Sequence, residues 1–176
     1  MIEHPPVIEK RPEWEARYKD FLANYEATGE TDWKIYARPR NKQRPSGPGV
    51  DLSQSRLLFI TSAGAYLPNI QEPFDAENDL GDHSLRVIPS STELSALAYA
   101  HTHYDHAMVN ADPQTLVPLV HLREMVQEGI IGELSPSFIS FSGYLPDAGR
   151  VVDETIPAML KVAKEEQVRA ALLVPA

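Results

Sequence analysis

The apolar positions of this chain fall into two alternating kinds of run. One kind is short and unbroken: RLLFITSAG at 56–64, SLRVIP at 84–89, LAYAHTH at 97–103, PSFISFSGY at 136–144 and VRAALLVPA at 168–176. Such runs, ended by small or polar residues, predict buried strands feeding loops. The other kind recurs every three or four residues, the period of one helix face. Residues 118–128 carry Leu119, Leu122, Met125 and Val126 as an inward stripe. Residues 153–166 read as a helix with Asp153 as N-cap, Pro157 in the first turn, and Ile156, Met159, Leu160 and Ala163 facing the core. Residues 12–27 carry an aromatic stripe of Trp14, Tyr18, Phe21, Leu22 and Tyr25, with Gly29 as the stop. The alternation predicts an α/β fold, a mostly parallel sheet with flanking helices and an N-terminal helical extension.

Residues 38–54 break this pattern. The stretch RPRNKQRPSGPG has no apolar period and reads as a solvated connector. Its positive charge in an acidic chain leaves an anion- or partner-binding arm as the alternative. The expected division is residues 1–54 as helix and linker, and 55–176 as the α/β domain. A length of 176 residues and 43% hydrophobic content suit a real core. The formal net charge of −9 argues against nucleic acid and against an anionic membrane surface as partners. No apolar run approaches the roughly 18 residues of a membrane span. The opening MIEHPPVIEKRPEW lacks a signal-peptide core, so a cytoplasmic location is expected. Cysteine is absent, which leaves no disulfide, no thiolate metal site and no cysteine nucleophile within these residues.

Chemistry concentrates in HTHYDH. Three of the six histidines, His101, His103 and His106, stand there with Asp105. Neutral imidazoles at this spacing suit a divalent metal such as zinc or iron, with the carboxylate as ligand or orienting partner. In an extended segment His101 and His103 share a face, and a turn returns His106 to the same centre. A polar loop of unliganded histidines is the alternative. The pattern also occurs in metallo-β-lactamase-like hydrolases, but the later ligands of that cage are missing, and His121 sits on a helix stripe. Glu72 and Asp75 lie in an acidic loop and are candidate site carboxylates. Ser62 and Gly64, with Tyr66 just beyond, follow the first core strand; Ser142 and Tyr144 end another. Ligands in open α/β sheets bind beyond the carboxyl ends of strands, which makes these the candidate substrate-binding positions.

The ordered set TSAGAYL, EPFD, GDHSLRVIP, HTHYDH, PLVHLREMVQEGIIGELS and SFSGYLPD, within Leu57 to Ala176, resembles the selenoprotein B family of glycine, sarcosine, betaine and D-proline reductases. The family pattern carries a histidine where this chain has Tyr66. The resemblance implies an oxidoreductase component that cleaves a carbon–nitrogen bond α to a carboxylate in a small substrate. It implies a selenocysteine or cysteine nucleophile, a thiol or dithiol reductant, and a homo-oligomeric or hetero-subunit reductase complex. No nucleotide cofactor is expected. By the same resemblance the nucleophile follows a strand reading LLxP plus one residue, and this chain reads ALLVPA at that point. The nucleophile is therefore expected just after Ala176. A selenocysteine codon read as stop, a cut cysteine homologue and a short paralogue all remain open. Two rival functions stand beside this one: a non-catalytic scaffold subunit of such a complex, and a metal-dependent hydrolase.

Overall fold

The computed structural model describes residues 9–35, 39–42 and 48–176. The first helix, α1 (Arg11–Thr28), ends at Gly29, whose positive φ of 73° lets its N–H reach the Tyr25 carbonyl at 2.7 Å. Of the aromatic stripe only Phe21 is fully buried. Trp14 Nε1 instead donates to the Pro39 carbonyl at 2.8 Å, and the Tyr25 hydroxyl donates to Asp79 at 3.1 Å. The stripe thus fastens the helix by polar tips as well as by packing. Part of the expected linker, 38 and 43–47, lies outside the described residues, as does most of the opening segment. Its end, Leu52–Gln54, forms a 3-10 turn capped by the Asp51 side chain.

The sheet is built around β1 (Arg56–Thr61). The run β5 (Glu133–Leu134) and β6 (Ser137–Phe141) lies parallel to it on one flank, interrupted at Ser135–Pro136. β7 (Ala170–Val174) lies parallel on the other flank, and β3 (Leu85–Pro89) pairs antiparallel with β6. A separate ribbon joins β2 (Ala65–Tyr66) to β4 (Ala98–Tyr99). The expected mostly parallel α/β sheet is therefore present. Leu57, Leu58 and Phe59 are all buried, as expected of a central strand covered on both faces. A short helix, α2 (Ala107–Ala111), follows the histidine segment. The next, α3 (Leu119–Gln127), closes one face with Leu119 and Leu122 buried and Met125 and Val126 packed against the same core.

Three expectations fail for physical reasons. The helix read as starting at Asp153 starts earlier, at α4 (Ala148–Arg150), where Asp147 Oδ1 accepts from Arg150 N at 3.0 Å. It continues through a π turn (Val151–Thr155) into α5 (Ile156–Glu165). Pro157 has no N–H to give the preceding turn, and the wider π turn accommodates that loss. Asp153, free of capping, pairs through both oxygens with Arg11 at 2.6 and 2.8 Å. Secondly, Ile156 and Leu160 do not face a core; they are 38% and 53% exposed. Thirdly, β7 is an edge strand with Leu172 and Leu173 36% and 59% exposed. It pairs with β1 alone among the described residues.

The end of α5 is pinned by Glu166. Its carboxylate accepts from the hydroxyls of Ser135 and Ser137 and from Ser137 N at 3.2 Å, across the break between β5 and β6. Burial pushes this carboxyl up, but the serine hydrogen bonds and nearby Arg56 hold it on balance below the usual glutamate value of 4.5. A depressed folded pKa stabilises above the unfolded value and is lost as pH falls through the folded one. Glu166→Ala should therefore lower stability by about 1.5 kcal/mol at pH 7. Urea titrations should show that difference shrinking below pH 4.5.

Candidate active site at the strand ends

The carboxyl ends of β1, β6 and β7 lie side by side. Beyond β1 the chain turns at Ala63 and Gly64. Gly64 N donates to the Phe141 carbonyl at 3.0 Å, and its own carbonyl accepts from Ala100 N at 2.9 Å. A Cβ on Gly64 would lie 2.4 Å from the Ala100 oxygen, and φ is +67°, so glycine is required there. Gly64 therefore acts through backbone, drawing the β4 exit over the strand ends. Just beyond β6 the matching residues are Ser142, buried and bridged to Ala63, and Gly143. The space over Gly143 is bounded by Ser62 Oγ and His101 Nε2, at 3.2 and 3.3 Å from where a Cβ would stand. Ser62 Oγ also accepts from Ala176 N at 2.8 Å. Tyr66 is half-buried in the ribbon beside Ala98.

The strand expected over 97–103 ends at Tyr99, and the histidines bend the chain. His101 Nδ1 accepts from His103 N at 3.0 Å, and His106 Nε2 meets the His101 carbonyl at 2.6 Å. Asp105 Oδ1 accepts from Ala107 N at 2.9 Å and so starts α2. The outcome is that His101 is buried while His103 is exposed, with their rings perpendicular and 5.6 Å apart. The three imidazoles do not converge as an extended segment would have made them. A three-histidine metal centre does not fit. One nitrogen of His101 receives an amide proton, and His106 Nε2, facing a carbonyl, must carry its own proton. Among the described residues no group of three His, Cys, Asp or Glu side chains is arranged to hold a metal ion.

What the arrangement offers is a buried neutral imidazole. Burial pushes the His101 pKa down, and His103 and His106 push it the same way. With Nδ1 accepting, the proton sits on Nε2 and faces Ser62 and Gly143. Tyr104 holds this ring in place. Its ring lies 4.8 Å from His101 and 4.7 Å from His106, and its hydroxyl donates to the Ala63 carbonyl at 2.9 Å. Burial raises that hydroxyl's pKa well above the ordinary tyrosine value. Sequence reasoning passed over Tyr104, although an aromatic ring set between histidines was the available signal.

The acidic loop meets the histidines through residues other than those expected. Glu72 and Asp75 are exposed, and their backbones are bonded to Arg86 and Asp82 respectively. Neither lines the cavity beside His103; Glu77 and Asp79 do, together with Trp33. The loops are joined by Thr102 Oγ1 donating to the Ala76 carbonyl at 2.8 Å. Tyr144 stacks on His103 at 4.4 Å, and its hydroxyl donates to the Asp79 carbonyl at 2.7 Å. His83 is buried away from this group. Neither of its ring nitrogens has a partner among the described residues, and burial followed by nearby Arg150 pushes its pKa down.

The sequence is similar to known proteins. Residues 30–175 match the family described as glycine/sarcosine/betaine reductase selenoprotein B, and the chain belongs to that family. It is 32% identical over 123 residues to the D-proline reductase subunit gamma of Acetoanaerobium sticklandii, covering 70% of this chain and 49% of that one. It is 31% identical over 127 residues to the sarcosine reductase complex component B subunit beta of Peptoclostridium acidaminophilum, covering 70% and 29%. A glycine reductase complex component B subunit gamma from Symbiobacterium thermophilum is 28% identical over 109 residues. The chain spans half or less of the length of these curated relatives. No solved structure matches it.

Two outcomes follow from the site geometry. Gly64→Ala should cost about 2 kcal/mol or more, read as a drop in the urea midpoint, because both the positive φ and the Ala100 carbonyl oppose a side chain. Nitrogen-15 NMR should find His101 in the Nε2–H form and titrating below the ordinary histidine value of 6.5. A histidine depressed on folding gives stability that is present above the unfolded value and lost as pH falls through the folded one. Acid should therefore destabilise the chain below pH 6.5, and His101→Gln should flatten that slope.

Proposed function

We propose that the chain is a component of a reductase that cleaves the carbon–nitrogen bond of a small amino-acid-like substrate. In this reading a selenol or thiol at the residue after Ala176 is the nucleophile. The observation that carries it is the Ala176 N–H bond to Ser62 Oγ at 2.8 Å, beside Gly143 and His101 Nε2. A side chain following Ala176 on this path emerges at the carboxyl ends of parallel strands, the usual place for chemistry in such sheets. Attack of the selenolate or thiolate on the α-carbon forms a carbon–chalcogen bond, and the amine leaves with the electron pair of the broken bond and takes up a proton. A thiol then attacks the chalcogen, and the carbon–chalcogen bond breaks with its electron pair going to the α-carbon, which takes up a proton. A second thiol of a dithiol donor cleaves the resulting chalcogen–sulfur bond, so that the dithiol supplies the two electrons and the selenol or thiol is regenerated. His101 Nε2–H serves as hydrogen-bond donor to the chalcogenolate, favouring its ionised form. Ser62 and Ser142 line the substrate's approach.

Support for a multi-subunit setting comes from two sides. The relatives are named as subunits of D-proline, sarcosine and glycine reductases. The edge strand β7 and helix α5 expose Leu173 and Leu160 by 59% and 53%, surface that favours covering by further protein, of the same or another chain. Among the described residues no helix is long and apolar enough to cross a membrane. A cytoplasmic setting, with its reduced thiol pool, suits the chemistry.

The test uses this chain extended with the residues its source gene encodes after Ala176, carrying cysteine or serine at the first added position. Assays with D-proline, sarcosine and glycine, a dithiol donor and added partner subunits should give turnover for the cysteine form alone. Alkylation should abolish it, and His101→Gln should lower it about 100-fold with the circular dichroism unchanged. Equal turnover from the serine form overturns the assignment.

A further inference from the structure

His101 is pinned on both sides to the same short stretch beyond β1. Just before it in sequence, Ala100 N donates to the Gly64 carbonyl at 2.9 Å. Just after it, the Tyr104 hydroxyl donates to the Ala63 carbonyl at 2.9 Å, a contact across 41 residues of sequence. Ala63 follows Ser62, whose hydroxyl lies over Gly143 together with His101 Nε2. The first tether alone would let the histidine turn pivot about Ala100, and the second fixes its angle. Tyr104 also sets its ring between two imidazoles, 4.8 Å from His101 at 46° and 4.7 Å from His106 at 38°. The His101 ring is thus held at Nδ1 by His103 N and on its side by Tyr104.

The Tyr104 hydroxyl is not an acid or base for the reaction. Burial keeps it protonated, and its single proton is committed to the Ala63 carbonyl. A group that always donates, on a stiff ring, is suited to holding a neighbour in place.

We propose that Tyr104 is a positioning residue for His101, tying the histidine turn to the end of β1 so that His101 Nε2–H stays aimed at Ser62 and Gly143. Its consequence for turnover rests on the reductase reading, in which that N–H meets the nucleophile; the positioning itself does not.

Nitrogen-15 NMR of this chain tests the positioning without any turnover. Tyr104→Phe keeps the ring and removes the tether, so the His101 Nε2–H form should give way to a mixture of both tautomers. Water then reaches the ring, and the His101 midpoint should rise toward 6.5 although His103 and His106 still flank it. Fluorotyrosine at position 104 keeps the hydroxyl and should retain the native signals. Trp14→Phe also loses one ring-borne bond to a carbonyl, and it should cost stability while leaving His101 unmoved. In the extended cysteine form, Tyr104→Phe should lower kcat about tenfold with KM unchanged. An unaltered His101 tautomer and midpoint in Tyr104→Phe overturns the proposal whatever the turnover, as does an equal change in Trp14→Phe. Altered His101 signals with no cysteine-dependent turnover in any form leave the positioning standing and overturn the reductase reading instead.

Discussion

Gly64 joins two sheets through its own backbone, and the site depends on that junction. Its N–H is bonded to Phe141 at the end of the large sheet, and its carbonyl to Ala100 at the end of the small ribbon. The two bonds fix the distance between the parallel strand ends and the segment that carries His101. A side chain at this position has nowhere to go, because the Ala100 carbonyl occupies its place. Ser62, Gly143 and His101 lie against one another as a consequence of this contact. None of them is near another in sequence.

The histidine cluster shows how one residue type serves two ends. Imidazole nitrogens are both ligands and turn-makers, and here local backbone groups reach them first. His101 takes the His103 amide, and His106 caps the His101 carbonyl. Those bonds shape the bend and leave His101 Nε2 turned toward Ser62 and Gly143. Burial then keeps that imidazole neutral. The family to which the chain belongs works through a chalcogen nucleophile in the reading proposed above, and a neutral donor beside it is the more useful group.

The outer surface carries a different tension. β1 is covered on both faces, whereas β7, though wholly apolar, is not. Exposed leucines on an edge strand are an aggregation hazard unless something covers them. α5 likewise leaves Ile156 and Leu160 exposed, by 38% and 53%.

Local patterns were legible in the sequence. The apolar runs located β1, β3, β6 and β7 within three residues at each end, and the three-four spacing located α1 and α3, because period and burial are properties of neighbouring residues. The ordered motifs also pointed to the right family. Helix starts were less legible: Asp153 fits the capping pattern, but Asp147 and a π turn around Pro157 decided the matter. The strand ends supplied Ser62, Gly64 and Ser142 as candidates, yet only the tertiary structure separated Gly64, which positions, from Ser62, whose hydroxyl meets Ala176 N and lies over Gly143. The acidic loop was recognised, but which of its carboxylates meets the histidines depends on how the loop folds back. Thr102 bonding Ala76 selects Glu77 and Asp79 over Glu72 and Asp75. The sequence by itself determined the elements and the chemistry available to them, because period, turn residues and side-chain type act locally. The tertiary structure decided which groups meet, because contacts between distant segments are set by loop paths and backbone pairing.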